Sequence, residues 1–288
     1  MGNILKALSE GTDAAGGFIV PEILSKEILA YIQATAVTLD DQQKVGMTSD
    51  ELRLPKLTGG STARWVGESG TITGSDIAFG RTTLSAKKVA ALMTASSELL
   101  EDANSSVAAI IAEQMGKDLA LAIDAEILGT GSGNLSSDGL GKTSSANSIS
   151  CGALTWQSLV SASNAVIADN HPQPDVMYIN PANIKSLQLL TDGNARPIFD
   201  TAIYGSPLLR EGVIGTIMGM KVKPTTQLTT SSIICGVSGR MGYYGTRRNI
   251  QFNRDYQIGT DDYVFQSNLR VAWSLKYADS YCVLRQVA

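Results

Sequence analysis

The residues of this sequence that could perform chemistry are few, and the most suggestive group is a glycine-rich run ending in a lysine. Residues 136–143 read Ser-Ser-Asp-Gly-Leu-Gly-Lys-Thr and end like the loop that wraps nucleotide phosphates. The first glycine of that motif is replaced by Ser136, and the run follows a predicted helix, whereas the motif requires a preceding strand. We therefore expect a linker here, and a nucleotide-binding enzyme using residues 139–143 is the remote alternative.

Two further runs resemble active-site loops but are better explained as turns. Residues 129–133, Gly-Thr-Gly-Ser-Gly, lack the last glycine of a dinucleotide fingerprint, since Asn134 stands there, and they also follow a helix. Residues 236–239, Gly-Val-Ser-Gly, are one residue short of the serine-hydrolase elbow. The first run predicts a helix stop and the second a turn.

The single histidine and the spacing of the cysteines argue against metal and triad chemistry. His171 is the only imidazole available, while catalytic zinc sites usually need several. Cys151, Cys235 and Cys282 are far apart and form no CxxC pair, so we expect reduced, mostly buried thiols. The sequence predicts no catalytic residue, no metal, no cofactor and no enzymatic activity.

The composition indicates a surface that is covered by something else. Charged residues are 17% of the 288, against about 25% in a typical soluble domain, and 28 residues are glycine. The net charge of −4 and the pI near 5.1 give no global positive field, so nonspecific DNA binding is disfavoured. No apolar run approaches the roughly 18 residues of a membrane span, and residues 1–9 lack the apolar core expected of a secretory signal.

The strongest element signal is a long amphipathic helix from Asn104 to Leu128, which Gly129 is placed to stop. Its apolar residues recur three or four positions apart: Val107, Ile110, Ile111, Met115, Leu119, Ala122, Ile123 and Ile127. Such a rod is nearly 40 Å long at about 1.5 Å per residue. A first helix is predicted from Pro21 to about Thr35, after a small polar arm.

Before the long helix, residues 51–96 alternate as extended runs around a glycine-rich tip at 67–80. The extended runs are predicted at 52–54, 62–68 and 82–93. The tip has too little apolar content to pack as a core, and loops of this length are unusual inside a compact domain. We therefore expect this extended segment, residues 51–96, to pack against a partner outside its own domain.

After a Gly/Ser/Asn linker at 129–150, the composition changes to that of an α/β unit. Helices are predicted at 155–168 and from Asn180 to Leu190, and a mobile loop at 191–212. The predicted strands are 176–179, short strands at 213–223 and 232–237, then 249–258, 263–275 and 281–284.

A few charged and aromatic residues are candidates for contact with a neighbouring subunit. Trp65, beside Arg64 and Glu68, is either part of hairpin packing or an interface anchor. A cationic group near the final strands is either an ion-pairing patch for another subunit or a solvated strand face. The candidate interface residues are Arg64, Trp65, Glu68, Arg81, Arg247, Arg248 and Arg254.

Five short runs, in order, resemble the major capsid proteins of tailed bacteriophages, which share the Hong Kong 97-type fold. They are residues 14–22 (Ala-Ala-Gly-Gly-Phe-Ile-Val-Pro-Glu), 63–68 (Ala-Arg-Trp-Val-Gly-Glu), 75–79 (Ser-Asp-Ile-Ala-Phe), 97–102 (Ser-Glu-Leu-Leu-Glu-Asp) and 123–131 (Ile-Asp-Ala-Glu-Ile-Leu-Gly-Thr-Gly). The resemblance covers nearly the whole chain.

The resemblance implies an α+β capsid fold. An N-terminal arm and first helix would occupy residues 1–35. A peripheral β-sheet domain would use 36–149 and 244–276, with an extended β-hairpin loop at 51–90 and a spine helix at 104–129. An axial α/β domain would use 150–243 and 277–288. In such shells the extended loop lies across a neighbouring subunit.

The implied function is a shell subunit, assembled in the host cytoplasm, that forms hexamers and pentamers of an icosahedral virion capsid around weakly contacted double-stranded DNA. Portal and decoration proteins are implied partners. A separate scaffolding protein, or none, is expected because Met1 lies about 20 residues before the Gly-Gly-Phe-Ile-Val-Pro run. No lysine lies between Lys56 and Lys87, so covalent crosslinking through the loop is not expected. An encapsulin-type bacterial compartment, similar in fold, is the alternative.

Overall fold

A computed structural model describes residues 36–60, 63, 65–68, 74, 76–98, 106–130, 133–135, 139–142, 147–191, 194, 197–201 and 213–286. The helices in these ranges are α1 (Ser106–Leu128), α2 (Trp156–Ala168) and α3 (Ile184–Gln188), with 3-10 turns at Leu39–Asp41 and Pro181–Asn183. The strands are β1 (Gln43–Gly46), β2 (Glu51–Gly59), β3 (Ala78–Ser85), β4 (Lys87–Ser96), β5 (Ser148–Cys151), β6 (Val176–Ile179), β7 (Asp200–Thr201), β8 (Gly215–Ile217), β9 (Met220–Pro224), β10 (Ser232–Gly236), β11 (Gly242–Gln257), β12 (Asp262–Leu275) and β13 (Tyr281–Gln286).

These strands form an α+β fold with two main sheets and one separate hairpin. The four-stranded sheet has the order β1-β11-β12-β4, and the seven-stranded sheet has the order β5-β13-β10-β6-β9-β8-β7. Among the strands of the described residues, β2 and β3 pair only with each other. The assignment of the chain to arm, peripheral and axial domains with the boundaries given above stays a prediction.

Helix α1 connects the two main sheets through one continuous core. Its residues Ala112, Met115, Leu119, Ile123 and Ile127 are buried, in the three-to-four spacing that one helix face requires. That face packs against the four-stranded sheet, and in the same cluster against residues of the seven-stranded sheet; members include Phe265, Leu269, Val271, Trp273, Tyr178, Ile234 and Val283. Because both sheets pack against this helix, a substitution on its buried face should affect the packing of both sheets.

The opposite face of the seven-stranded sheet is covered by α2. Leu159, Ala162 and Val166 of the helix pack in a second core with apolar residues of β6, β10 and β13. Thr155 begins the helix with a capping box, in which its side chain accepts from the Ser158 N–H. The predicted helix at 155–168 is confirmed.

Several predicted boundaries of strands and helices were wrong, because contacts with residues far away in the sequence determine where these elements begin and end. Strand β11 begins at Gly242, not 249, because β1 pairs in parallel with its first residues. The predicted strand 82–93 is two strands, since β3 pairs with β2 whereas β4 pairs with β12. The predicted helix from Asn180 to Leu190 is a 3-10 turn followed by the five-residue α3.

Other expectations for the helices are settled only in part. Helix α1 ends at Leu128 as predicted, with Gly129 in the left-handed region at φ 87°. Ile110 and Ala122 lie outside its buried stripe, since both are exposed. The predicted first helix from Pro21 to about Thr35 lies outside the described residues.

Candidate subunit interface

The hairpin β2–β3 has an inner face that is anchored on the rest of the molecule. Leu84 is fully buried and packs with Met47, Ala86 and Ala272 at the base of the hairpin. Further out, the Lys56 ammonium lies 5.4 Å from the centre of the Tyr277 ring. The inner face is therefore attached near the base by apolar contacts and farther out by a cation–π contact.

The outer face of the hairpin carries apolar residues that nothing in the described chain covers. Because side chains alternate along each strand, Pro55 and Leu57 share this face with their partners Arg81 and Phe79. Leu57 is 52% exposed and Phe79 is 72% exposed, and the two are direct cross-strand partners. A two-stranded hairpin gains little stability by itself in water, so this face is suited to a partner.

Beyond the strands, the described part of the tip is equally exposed. Trp65 is fully accessible, and Val66, Glu68 and Ile77 are exposed as well. Residues 65–68 form no strand, so the extended run predicted at 62–68 was wrong for this part. Exposed aromatic and aliphatic groups beside a carboxylate are typical of an interface anchor.

An ion-pair cluster ties the base of the hairpin to the four-stranded sheet. The Asp50 carboxylate lies 3.5 Å from the Arg247 Nε and 3.1 Å from an Arg270 guanidinium nitrogen. The Ala86 N–H donates to the Asp50 carbonyl at 2.8 Å. These contacts set the direction in which the hairpin leaves the sheet.

The predicted interface arginines fall into two groups in the structure. Arg81 is exposed on the outer face of the hairpin. The other group contacts its own chain: Arg247 pairs with Asp50, Arg248 donates to the Asn268 Oδ1 at 2.5 Å, and Arg254 stacks 3.8 Å from the Tyr263 ring centre. Arg64 lies outside the described residues. The interface role of all seven candidates stays a prediction.

The structure also contains a buried polar anchor that the sequence analysis missed. Asp124, on α1, is 1% exposed and accepts from the Val37 N–H at 2.8 Å, the Thr38 N–H at 3.3 Å and the Thr38 hydroxyl. Burial raises the pKa of its carboxyl, although these hydrogen bonds oppose the rise. A carboxylate inside an otherwise apolar helix stripe was the signal that could have revealed it.

A second buried carboxylate continues this anchor to the seven-stranded sheet. Asp41 accepts from the Lys223 ammonium at 2.8 Å and from the Tyr178 hydroxyl at 2.5 Å. Burial raises the pKa of Asp41, against the lowering effect of Lys223. Residues 37–41 are thereby fixed between α1 and the seven-stranded sheet.

The lysine-containing run that resembles a phosphate loop, residues 139–142, has a structural role at the end of α1. The N–H groups of Leu140 and Gly141 donate to the carbonyls of Ile127 and Leu128, at 2.8 and 3.0 Å. A Cβ on Gly139 would lie 2.3 Å from the Gly129 Cα. Two amides that a phosphate would need are thus already bonded to the end of α1, which argues against nucleotide binding.

The histidine and the cysteines have structural surroundings. His171 Nδ1 lies 3.2 Å from an Arg240 guanidinium nitrogen, and its Nε2 lies 3.2 Å from Asp279. Because a guanidinium only donates, Nδ1 accepts and Nε2 carries the proton. Cys235 and Cys282 are buried free thiols with raised pKa, and Cys151 is half-buried, not fully buried.

Two other kinds of site are absent from the described ranges. No group of three or more His, Cys, Asp or Glu side chains there is arranged to hold a metal ion. None of the helices there has both the length and the apolar character that crossing a membrane requires.

The fold is similar to that of several capsid and shell structures. A structure from Mycobacterium phage Adephagia matches with TM-score 0.68 and 18% identity, covering 89% of this chain and 91% of the other. The capsid of the native GTA particle matches with TM-score 0.67 and 18% identity, covering 88% and 91%. The virus-like particle from Pyrococcus furiosus matches with TM-score 0.60 and 13% identity, covering 92% and 98%. At these identities the likeness shows the fold.

The fold is therefore of the capsid type. The profile described as "Phage capsid family" matches residues 16–285. The chain belongs to the phage capsid family, as the sequence resemblance predicted. No curated protein matches it in sequence.

Proposed function

We propose that this chain is the major capsid subunit of a tailed bacteriophage and assembles into hexamers and pentamers of an icosahedral shell around double-stranded DNA. The observation that carries the proposal is the outer face of the hairpin. Leu57 and Phe79 form an exposed cross-strand pair there, with Arg81 beside them. Family membership supports the shell role, and this face supplies the contact.

The energetics favour many weak contacts over one strong contact. Burying a large apolar side chain fully contributes roughly 1.5–3 kcal/mol. Association costs an estimated 4–15 kcal/mol or more, so the hairpin's exposed side chains alone leave a modest net affinity. A shell multiplies such contacts around each subunit, which makes the assembly stable while single misplaced subunits can still leave.

The charge suits a container for DNA. A net charge of −4 keeps phosphate contacts weak, which permits packing and release of the genome. We expect assembly in the host cytoplasm, with scaffolding, portal and decoration proteins as partners.

The direct test is electron microscopy of the full chain expressed alone and, if needed, with a scaffolding protein. Closed shells with five-fold and six-fold capsomers are expected. The hairpin's role is tested by Phe79→Ser, which should abolish shells without changing thermal unfolding of the subunit. Ile167→Ser, on the exposed side of α2, is the control and should assemble normally. Wild-type subunits that never assemble, or Phe79→Ser subunits that assemble as well as the control, would contradict the proposal.

A bacterial compartment of encapsulin type is the second candidate. A virus-like particle named for Pyrococcus furiosus, and not for a phage, also has a similar fold. Mass spectrometry of particles purified from their natural source separates the two. Packaged DNA and portal protein support the phage capsid, whereas a folded cargo enzyme supports the compartment.

A nucleotide-binding enzyme is tested by titration with ATP and magnesium. No saturable binding is expected, because the amides of Leu140 and Gly141 are bonded to the end of α1. Saturable binding that Lys142→Ala abolishes would overturn this expectation.

A further inference from the structure

Strand β4 forms one edge of the four-stranded sheet. In the order β1-β11-β12-β4, its one strand partner among the described residues is β12. The backbone groups on its other side can be identified from the register. Ser97 donates to Asp261 just beyond the strand, and the antiparallel register with β12 runs without a shift from 96 back to 87. Odd-numbered residues therefore bond to β12, and Ala90, Leu92 and Thr94 direct their N–H and C=O groups to the open edge.

After its first two residues, Lys87 and Lys88, this edge lacks the features by which proteins usually prevent edge-to-edge pairing. Residues 89–96 contain no charge and no proline, and no bulge interrupts the strand. Leu92, in the middle, is 65% exposed on the face turned away from α1. Natural edge strands are normally protected by charges, prolines or bulges, so a long, flat, uncharged edge indicates that another strand covers it.

The charges at the two ends of β4 select the direction of that strand. Lys87 and Lys88 stand at the beginning, next to Arg270, which pairs with Lys88. Glu98 follows the end, and Asp262 pairs with the last residue, Ser96. In a parallel, in-register pair of two copies the lysines would lie together and repel each other. An antiparallel pair brings the basic end of each strand to the acidic end of the other.

We propose that β4 of a second copy of this chain pairs antiparallel with β4, joining the two four-stranded sheets into one. The pairing is centred on Leu92, which lies opposite Leu92 of the second copy, with Ala90 opposite Thr94. Lys88 then lies beside Ser96 of the other strand and close to Asp262. Such an isologous contact obeys two-fold symmetry. It is separate from the hairpin contact and does not require a shell to form.

The first test uses charge complementation at the centre of the contact. In sedimentation velocity of the full chain, with any shells removed, a dimer is expected for the wild type. Leu92→Lys and Leu92→Glu should each weaken dimerisation at least tenfold, because like charges then face each other. Mixing the two variants should restore it, because Lys then faces Glu. Leu189→Lys, at an equally exposed leucine, is the control and should leave the dimer unchanged.

The second test reads the backbone directly. Hydrogen exchange should be slow at the amides of 90, 92 and 94 in the dimer and fast in Leu92→Lys, while the amides of 91 and 93 stay slow in both. A wild-type monomer, or a mixture of the two charge variants that stays monomeric, would overturn the proposal. So would protection of 90, 92 and 94 in a monomer, since a segment of the same chain would then cover the edge. Leu92→Lys subunits that still form shells would leave the capsid role intact, so the two proposals can fail separately.

Discussion

Asp124 is expected to be the most sensitive single side chain of the fold, because it holds residues 37 and 38 against α1. Asp124→Ala leaves three donors without their acceptor: the Val37 N–H, the Thr38 N–H and the Thr38 hydroxyl. Thr38 is fully buried, so water cannot replace the lost bonds at its two donors. Leaving a buried donor unsatisfied costs about 1–3 kcal/mol.

The net effect is smaller than the sum of these losses because the carboxylate itself is costly to bury. The raised pKa of Asp124 shows that burial outweighs its hydrogen bonds for the ionised form. Alanine also removes that cost. With both terms included, we expect Asp124→Ala to lower the free energy of unfolding by about 2–4 kcal/mol, which is below the total for the unsatisfied donors.

The measurement is urea unfolding of the unassembled subunit, followed by circular dichroism and by tryptophan fluorescence. Asp118→Ala is the matched control, because Asp118 lies on the same helix, is exposed and accepts only from Gln114 among the bonds found. The control should change the free energy of unfolding by less than about 0.5 kcal/mol. If the two variants differ by less than about 1 kcal/mol, the anchor does not hold the segment and the reasoning fails.

The remaining predictions concern the end of α1 and the response to pH. Gly139→Ala should destabilise the subunit by about 2 kcal/mol or more, since its Cβ would overlap the Gly129 backbone; Gly152→Ala, with open space around it, should be neutral in the same urea assay. Asp41 and Asp124 have raised pKa values in the folded state, so that state binds protons more tightly than the unfolded chain. Their contribution to stability is greatest below their ordinary value of 3.8 and is lost as the pH rises through the raised values. Stability gained as the pH falls from about 7 toward 3.8 should therefore be smaller in Asp124→Asn than in the wild type, and equal gains would contradict this.

The elements predicted well are those specified by neighbouring residues. Helix α2 has its capping threonine and its apolar spacing within 14 residues of sequence, and the structure gives the predicted bounds within one residue. The end of α1 was found for the same reason, because Gly129 is a local stop signal. Strands β1 and β5 were missed: each is four residues long and pairs with a strand more than 100 residues away.

The sequence predicted which segment is exposed at the candidate interface better than it predicted the contacts of the individual arginines. Exposed Trp65 and Arg81 follow from a segment with no core of its own, and the structure leaves both exposed. Arg247 and Arg248 were grouped only by charge, and their partners Asp50 and Asn268 are distant in sequence. The sequence does not predict such pairings, because charged surface residues do not recur at a regular spacing.

By itself, the sequence determined the family and the long helix with its glycine stop. It also predicted an excursion at residues 51–96 whose tip has too few apolar residues to fold alone. The family follows from the five short runs that resemble it. Local propensity and the period of apolar residues are sufficient for the helix and for the excursion, since each depends on residues within a few turns of one another. The tertiary structure decided which face of the hairpin is left uncovered, where Asp124 and Asp41 find their partners, and that β4 is an edge. Those properties depend on strand order and register, which are set when segments far apart in the chain share one core.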